Sequence, residues 1–255
     1  MSSKVNKALI MAGSSGTRLG MGTKSHILYK DRLLLEYVLD SVNLAGIKDL
    51  VVFLPNKDIE DTLSKEKITR LRYLKESNSN IRWVQFPKEL GLGFRGALDL
   101  VKDHFGSEPF YLLCGHSPQS SSFLKRMGDT YTDNSIVLSG YRYRYESCVS
   151  IGKVESNKVI DFNNIAAAEP RDFRATENEY ITQMPYIIDF KFYEDTIKKD
   201  LFKNKIEFYP KEFIKEGGTC YLLENPVQIS EVDYMKDFKL LLESIDALVS
   251  NNYKL

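Results

Sequence analysis

The chain has 255 residues, 43% of them hydrophobic, enough for one large domain with a sizeable core. Its 35 basic and 35 acidic residues cancel, so the charge balance argues against a non-specific nucleic-acid or anionic-membrane surface. The three cysteines (Cys114, Cys148 and Cys220) are odd in number, far apart and without a C-x-x-C pair. Neither a disulfide framework nor a zinc site follows from them, and a reducing compartment is expected. The three histidines (His26, His104 and His116) show no ligand spacing. The apolar run after MSSKVNK ends within a few residues, so neither a signal peptide nor a membrane span is expected, and the cytoplasm is the expected location.

The first half alternates strand and helix. Ala8 to Met11 reads as a buried strand that runs into a loop rich in Gly and Ser and carrying Arg18 and Lys24. Gly13 and Gly16 lack a Cβ, so the chain there can turn tightly and present N–H groups to phosphate oxygens. Arg18 and Lys24 can add charge-assisted hydrogen bonds to the same oxygens. A Walker A loop does not fit, because Thr23 precedes Lys24-Ser25 and the glycine spacing is wrong. Gly13, Gly16 and Gly20 do not give a dinucleotide fingerprint either. Leu34, Val38, Val42 and Ala45 predict a helix over Leu33 to Ala45. Leu50 to Leu54 is a short strand, Ile59 to Ser77 is charged with a helical apolar face, and Ile81 to Phe86 is a strand. Gly96 to Phe105 is a helix and Phe110 to Cys114 another buried strand. Such alternation predicts a parallel sheet with right-handed crossovers and a ligand beyond the strand C-terminal ends. The Gly13 and Gly115 loops both lie there.

The second half changes character. Ser135 to Arg142, Cys148 to Val154 and Lys158 to Phe162 alternate like antiparallel strands, and Tyr180 to Ile188 is a further strand. Asn163 to Glu179 is polar and reads as a loop. Helices are expected over Phe190 to Leu201 and Tyr209 to Lys215. Short strands follow at Cys220 to Glu224 and Val227 to Ile229, then a last helix over Asp233 to Val249.

The stretch Ala12-Gly13-Ser14-Ser15-Gly16-Thr17-Arg18-Leu19, followed by Thr23-Lys24, resembles the signature of sugar-1-phosphate nucleotidylyltransferases, L-A-A-G-x-G-T-R-L and then P-K, with Thr23 where that family usually has Pro. The alternative is an ordinary βα turn that happens to carry Arg and Lys. The order of elements resembles the same family over nearly the whole chain. Gln85 to Ala97 (QFPKELGLGFRGA) is similar to its Gln followed by Leu-Gly-x-Gly-x-A, and Gly152-Lys153-Val154 to its sugar-side hairpin.

The resemblance implies a Rossmann-like, GT-A-type three-layer α/β fold. Its mostly parallel mixed sheet would be joined to a smaller mixed β part, within a single domain over 1–255. Residues 1–134 would form the nucleotide-binding half and 135–255 the acceptor-binding half. It implies Arg18 and Lys24 as catalytic cations. Ala12, Gly13, Ser14, Ser15, Gly16, Thr17, Gln85, Gly91 and Gly93 would bind the nucleotide, and Gly152, Glu169 and Tyr186 the acceptor. Partners would be an NTP and a phosphorylated small molecule, with a homo-oligomer left open.

Three departures accompany the match. The Gly-Asp that holds Mg²⁺ in the family reads Gly115-His116, and imidazole suits transition metals better than Mg²⁺. The late D-I/V-G-T segment reads Ser230-Glu231-Val232-Asp233, leaving Glu231 and Asp233, with His116, as the candidate ligands for Mg²⁺ or Mn²⁺. Phe162-Asn163-Asn164 stands where E-K-P is common, and Glu169-Pro170 follows as a shifted remnant. Three readings remain open: an active nucleotidyltransferase releasing pyrophosphate, a catalytically inactive relative that binds a nucleotide or nucleotide-sugar as a regulator, and a glycosyltransferase-like enzyme. The last lacks the Asp-x-Asp that such enzymes usually show.

Overall fold

The computed structural model describes residues 5–13, 22–55, 60, 63–85, 94–194, 210–226 and 235–252. Four strands of the first half pair in parallel: β1 (Lys7–Met11) lies between β4 (Asp49–Leu54) and β6 (Phe110–Cys114), and β5 (Arg82–Gln85) flanks β4. Their runs ALIM, DLVVFL and FYLLC are apolar on both faces because helices cover both faces. A small hairpin, β2 (Leu28–Tyr29) and β3 (Arg32–Leu33), leads into helix α1 (Leu34–Ala45). That helix ends at Gly46, whose φ of 82° is the left-handed conformation that glycine adopts without strain.

The sheet continues through β10 (Glu179–Ile188), β7 (Ser135–Tyr141) and β11 (Thr219–Glu224) to β9 (Lys158–Arg174) and β8 (Tyr143–Glu155). The nine strands run in the order β5-β4-β1-β6-β10-β7-β11-β9-β8, so strands of both halves share one sheet. One face packs against α1, α2 (Lys65–Ser77) and α4 (Ser121–Thr130) through Val38, Leu39, Leu71, Phe123 and Met127. The other packs against α3 (Phe94–Phe105) and the helical turn Phe190–Phe192 through Leu98, Val101, Phe105 and Phe190. Asp189 caps that turn by accepting from the Phe192 N–H at 2.8 Å. A short α5 (Lys211–Lys215) precedes β11, and the last helix, α6 (Met235–Asn252), lies on α1 through Leu241, Ile245 and Leu248.

A buried carboxylate ties two helices of the first layer together. Glu36, near the start of α1, accepts from the Leu33 N–H at 2.9 Å and from Arg70 of α2 at 2.7 and 2.6 Å. The bidentate arginine supplies the partner that a carboxylate needs when it is removed from water.

One expectation is corrected. Asn163 to Glu179 is not a loop: β9 continues to Arg174 and β8 begins at Tyr143, giving a long antiparallel ribbon with Tyr143 opposite Arg174. Its register shifts between Glu146 and Cys148, where Arg171 and Ala166 are the respective partners. The bulged residues between them break the two-residue alternation that identifies a strand. Helix α4 was also unforeseen. The expected helix from Phe190 is a single turn where described and leaves the described residues after 194; Val227 to Ile229 lies outside them.

Candidate active site

The site begins where β1 and β6 end. Gly115 N–H donates to Met11 O at 2.8 Å, and Ala12 N–H donates to Phe53 O at 2.8 Å. The ends of three neighbouring strands are thereby stitched together. A Cβ on Gly115 would lie 2.7 Å from the Ala12 Cα and 3.0 Å from Met11 O. That contact is with backbone, so only glycine lets the two loops approach this closely.

Lys24 enters from a different segment. It opens a 3₁₀ turn, Lys24–His26, in which His26 N–H donates to Thr23 O at 3.0 Å and Ile27 N–H to Lys24 O at 3.1 Å. The turn is fastened to the mouth of β1 by Ser25, whose hydroxyl donates to Ala12 O at 2.5 Å. Thr23, Lys24, Ser25 and His26 are all buried. Burial pushes the His26 imidazole down to about 4, helped by the positive charges of Lys67 and Lys75 on α2. Its ring is neutral at physiological pH.

Ala12, Gly13, Lys24 and His116 thus come to one end of the sheet. Arg18, Ser14, Ser15, Gly16, Thr17, Gly91, Gly93, Glu231 and Asp233 lie outside the described residues. Gln85 ends the edge strand β5, exposed, with its amide donating to Glu60. Two strand spacings separate β5 from β1, about 10 Å.

The expected acceptor residues are not gathered in one place. Gly152 pairs with Tyr180 on β10, and its missing Cβ faces Leu222 and Phe162. Tyr186 lies six residues further along β10, roughly 20 Å at strand rise, buried in the apolar layer against α3. Glu169 is exposed in the β9 bulge. Gly152 and Tyr186 both border the second apolar layer.

His116 is buried, with Nδ1 3.2 Å from Cys114 Sγ. Among the described residues, no group of three or more His, Cys, Asp or Glu side chains could hold a metal. Sulfur and imidazole at the β6 end do not fit Mg²⁺, which takes hard oxygen ligands.

A buried polar cluster that sequence reasoning missed surrounds the ends of β6, β7 and β11. Asn225 Nδ2 donates to Gln119 Oε1 at 2.6 Å, to Tyr141 Oη at 3.0 Å and to Ser139 Oγ at 3.3 Å. Gln119 Nε2 donates to Ser117 O at 3.1 Å, and Tyr141 Oη donates to Met184 O at 3.1 Å. Burial pushes the Tyr141 hydroxyl up to about 12, keeping it a donor. Gln183 stands opposite Ser139 on β10, on the same face of the sheet. Its Oε1 and the Ser117 Oγ are buried without a hydrogen-bond partner among the described residues. The one sequence signal was Gln183, an amide inside an apolar strand.

By sequence, the chain matches no protein-family model and no curated protein. By structure it is similar to the inositol-1-phosphate CTP transferase from T. maritima, at 16% identity over 96% of this chain and 98% of that one, with a TM-score of 0.64. A Methanothermobacter nucleotidyl transferase is similar at 14% identity over 96% and 98%, TM-score 0.60. HddC from Yersinia pseudotuberculosis is similar at 16% over 94% and 99%, TM-score 0.63. The chain therefore has the α/β fold of these three proteins, two of them nucleotide transferases, over almost its full length and as a divergent sequence. Among the described residues, no helix is long and apolar enough to cross a membrane.

Proposed function

We propose that the protein is a nucleotidyltransferase that joins an NTP to a phosphorylated small molecule such as a sugar 1-phosphate, releasing pyrophosphate. The observation that carries this reading is the fastening of the Lys24 turn to the mouth of β1 through Ser25 and the Ala12 carbonyl. It holds a lysine beside the glycine-bearing loop at a strand end, where open α/β sheets bind ligands.

In the proposed reaction an acceptor phosphate oxygen attacks the α-phosphorus of the NTP. A new P–O bond forms as the bond to the β-phosphate breaks, and the electron pair leaves on pyrophosphate. The protein's work is alignment and charge compensation. The Ala12 N–H is held by Phe53 O, so the N–H groups from Gly13 to Gly16 cradle the triphosphate, Arg18 meets the β- and γ-phosphates, and Lys24 offsets charge developing at the α-phosphate. Gln85, Gly91 and Gly93 approach the base. The amides and hydroxyls of Gln119, Gln183, Asn225 and Ser117 offer neutral hydrogen-bonding partners to the acceptor. Glu231 and Asp233 would supply the hard carboxylate oxygens that a divalent ion needs.

The test is pyrophosphate release with each NTP against a panel of phosphorylated acceptors, in Mg²⁺ and in Mn²⁺. Release that needs one NTP and one acceptor supports the reading. Nucleotide binding without release in any pair favours the regulatory alternative.

A further inference from the structure

We propose that His26 is a positioning residue: its ring N–H orients the Ser25 hydroxyl so that the Lys24 turn stays fastened to the end of β1. The proposal rests on the reading of Lys24 as a phosphate-binding cation. A serine hydroxyl has one proton, and Ser25 gives it to Ala12 O. The second contact of Ser25 Oγ, with His26 Nδ1 at 3.3 Å, must then have the ring as donor. This assigns the Nδ1–H tautomer, with the lone pair on Nε2. The chain of bonds runs from His26 Nδ1–H to Ser25 Oγ, and from Ser25 O–H to Ala12 C=O.

Three further observations agree with that assignment. His26 is fully buried, and its Nε2 has no hydrogen-bond partner among the described residues. A ring held only for packing would be served better by an apolar side chain, because a buried polar atom without a partner is destabilising. Burial, helped by the positive charges of Lys67 and Lys75, keeps the ring neutral, so one nitrogen donates and the other does not. Finally, the turn closes on itself through Thr23 O and Lys24 O, and the Ser25 hydroxyl ties it to β1. Losing the ring donor releases the Ser25 rotor and the spacing between Lys24 and Gly13.

The experiment compares wild type with His26→Leu, His26→Asn and Ser25→Ala by amide hydrogen exchange and by turnover. Asparagine places an N–H donor near the Nδ1 position and leucine does not. In nucleotide-free protein, the N–H groups of residues 26 and 27 should exchange about tenfold faster in His26→Leu and Ser25→Ala, and near the wild-type rate in His26→Asn. Under turnover, His26→Leu should lower kcat about tenfold with KM for the NTP within about threefold, and His26→Asn should restore it. Wild-type exchange and wild-type kcat in His26→Leu would overturn the proposal. If His26→Leu does not fold, Ser25→Ala and His26→Asn decide: fast exchange in the first with slow exchange in the second supports the relay, and equal rates overturn it. If wild type transfers no nucleotide, the proposed function fails while the exchange comparison still decides whether the relay exists.

Discussion

Acid should destabilise this protein through His26 in a way that removing the ring abolishes. The folded ring titrates at about 4 against 6.5 for an unperturbed histidine. Between those values the unfolded chain binds a proton that the folded protein refuses, so stability rises with pH in that window. The contribution is fully present above pH 6.5 and is lost as pH falls towards 4. At pH 5.0 the loss spans the interval from 6.5 to 5.0, worth about 2 kcal/mol at 1.36 kcal/mol per unit. Deep burial makes solvent screening a small correction. The assay is urea unfolding of wild type and His26→Leu at pH 7.5 and pH 5.0. Every other ionisable group is common to both proteins and cancels in the comparison. Wild type should lose about 2 kcal/mol more than the variant between the two pH values. Equal losses would refute the reasoning, since the ring would then be accessible to protons in the folded state.

Gly115→Ala should destabilise by about 2 kcal/mol or more, because the added methyl meets Ala12 Cα at 2.7 Å and backbone cannot step aside; an unchanged thermal midpoint would contradict the stitched strand ends. Lys24→Ala should lower turnover about a hundredfold, one charge-stabilising contact being worth about 3 kcal/mol; turnover within about threefold of wild type would remove Lys24 from catalysis. Asn225→Ala should lower stability by about 2 kcal/mol, as it leaves Gln119 Oε1 buried without its donor. Calorimetry would check that cost, and a change below about 0.5 kcal/mol would mean that water replaces the amide.

The first half of the fold was legible because its strands are covered on both faces. The runs in β1, β4 and β6 are nearly all apolar, and each is followed by glycine or proline where the chain turns. Helix α4 was not legible, since only Phe123, Leu124, Met127 and Gly128 are buried on a segment otherwise polar. The β8–β9 ribbon was misread for a different reason. Its bulge between Ala166 and Arg171 resets the inside–outside pattern, and much of the far end is exposed, so polarity mimicked a loop.

The site divides in the same way. Ala12, Gly13 and Lys24 stand out in the sequence because the glycine-bearing loop and its lysine lie within a short stretch, and the fold brings them to one end of the sheet. Asn225 and Gln119 do not stand out, since the amides that meet at 2.6 Å lie 106 positions apart. No local period reveals such a pair. The resemblance assigns Tyr186 to the acceptor, whereas β10 turns its side chain into the apolar layer.

The most direct test of the account is single-turnover conversion of an NTP labelled at the α-phosphorus, with a sugar 1-phosphate as acceptor. The account predicts that label appears in the acceptor product one-for-one with released pyrophosphate, and that both fall together in Lys24→Ala. Pyrophosphate release without label in the acceptor, or no release from any NTP that binds, would contradict it.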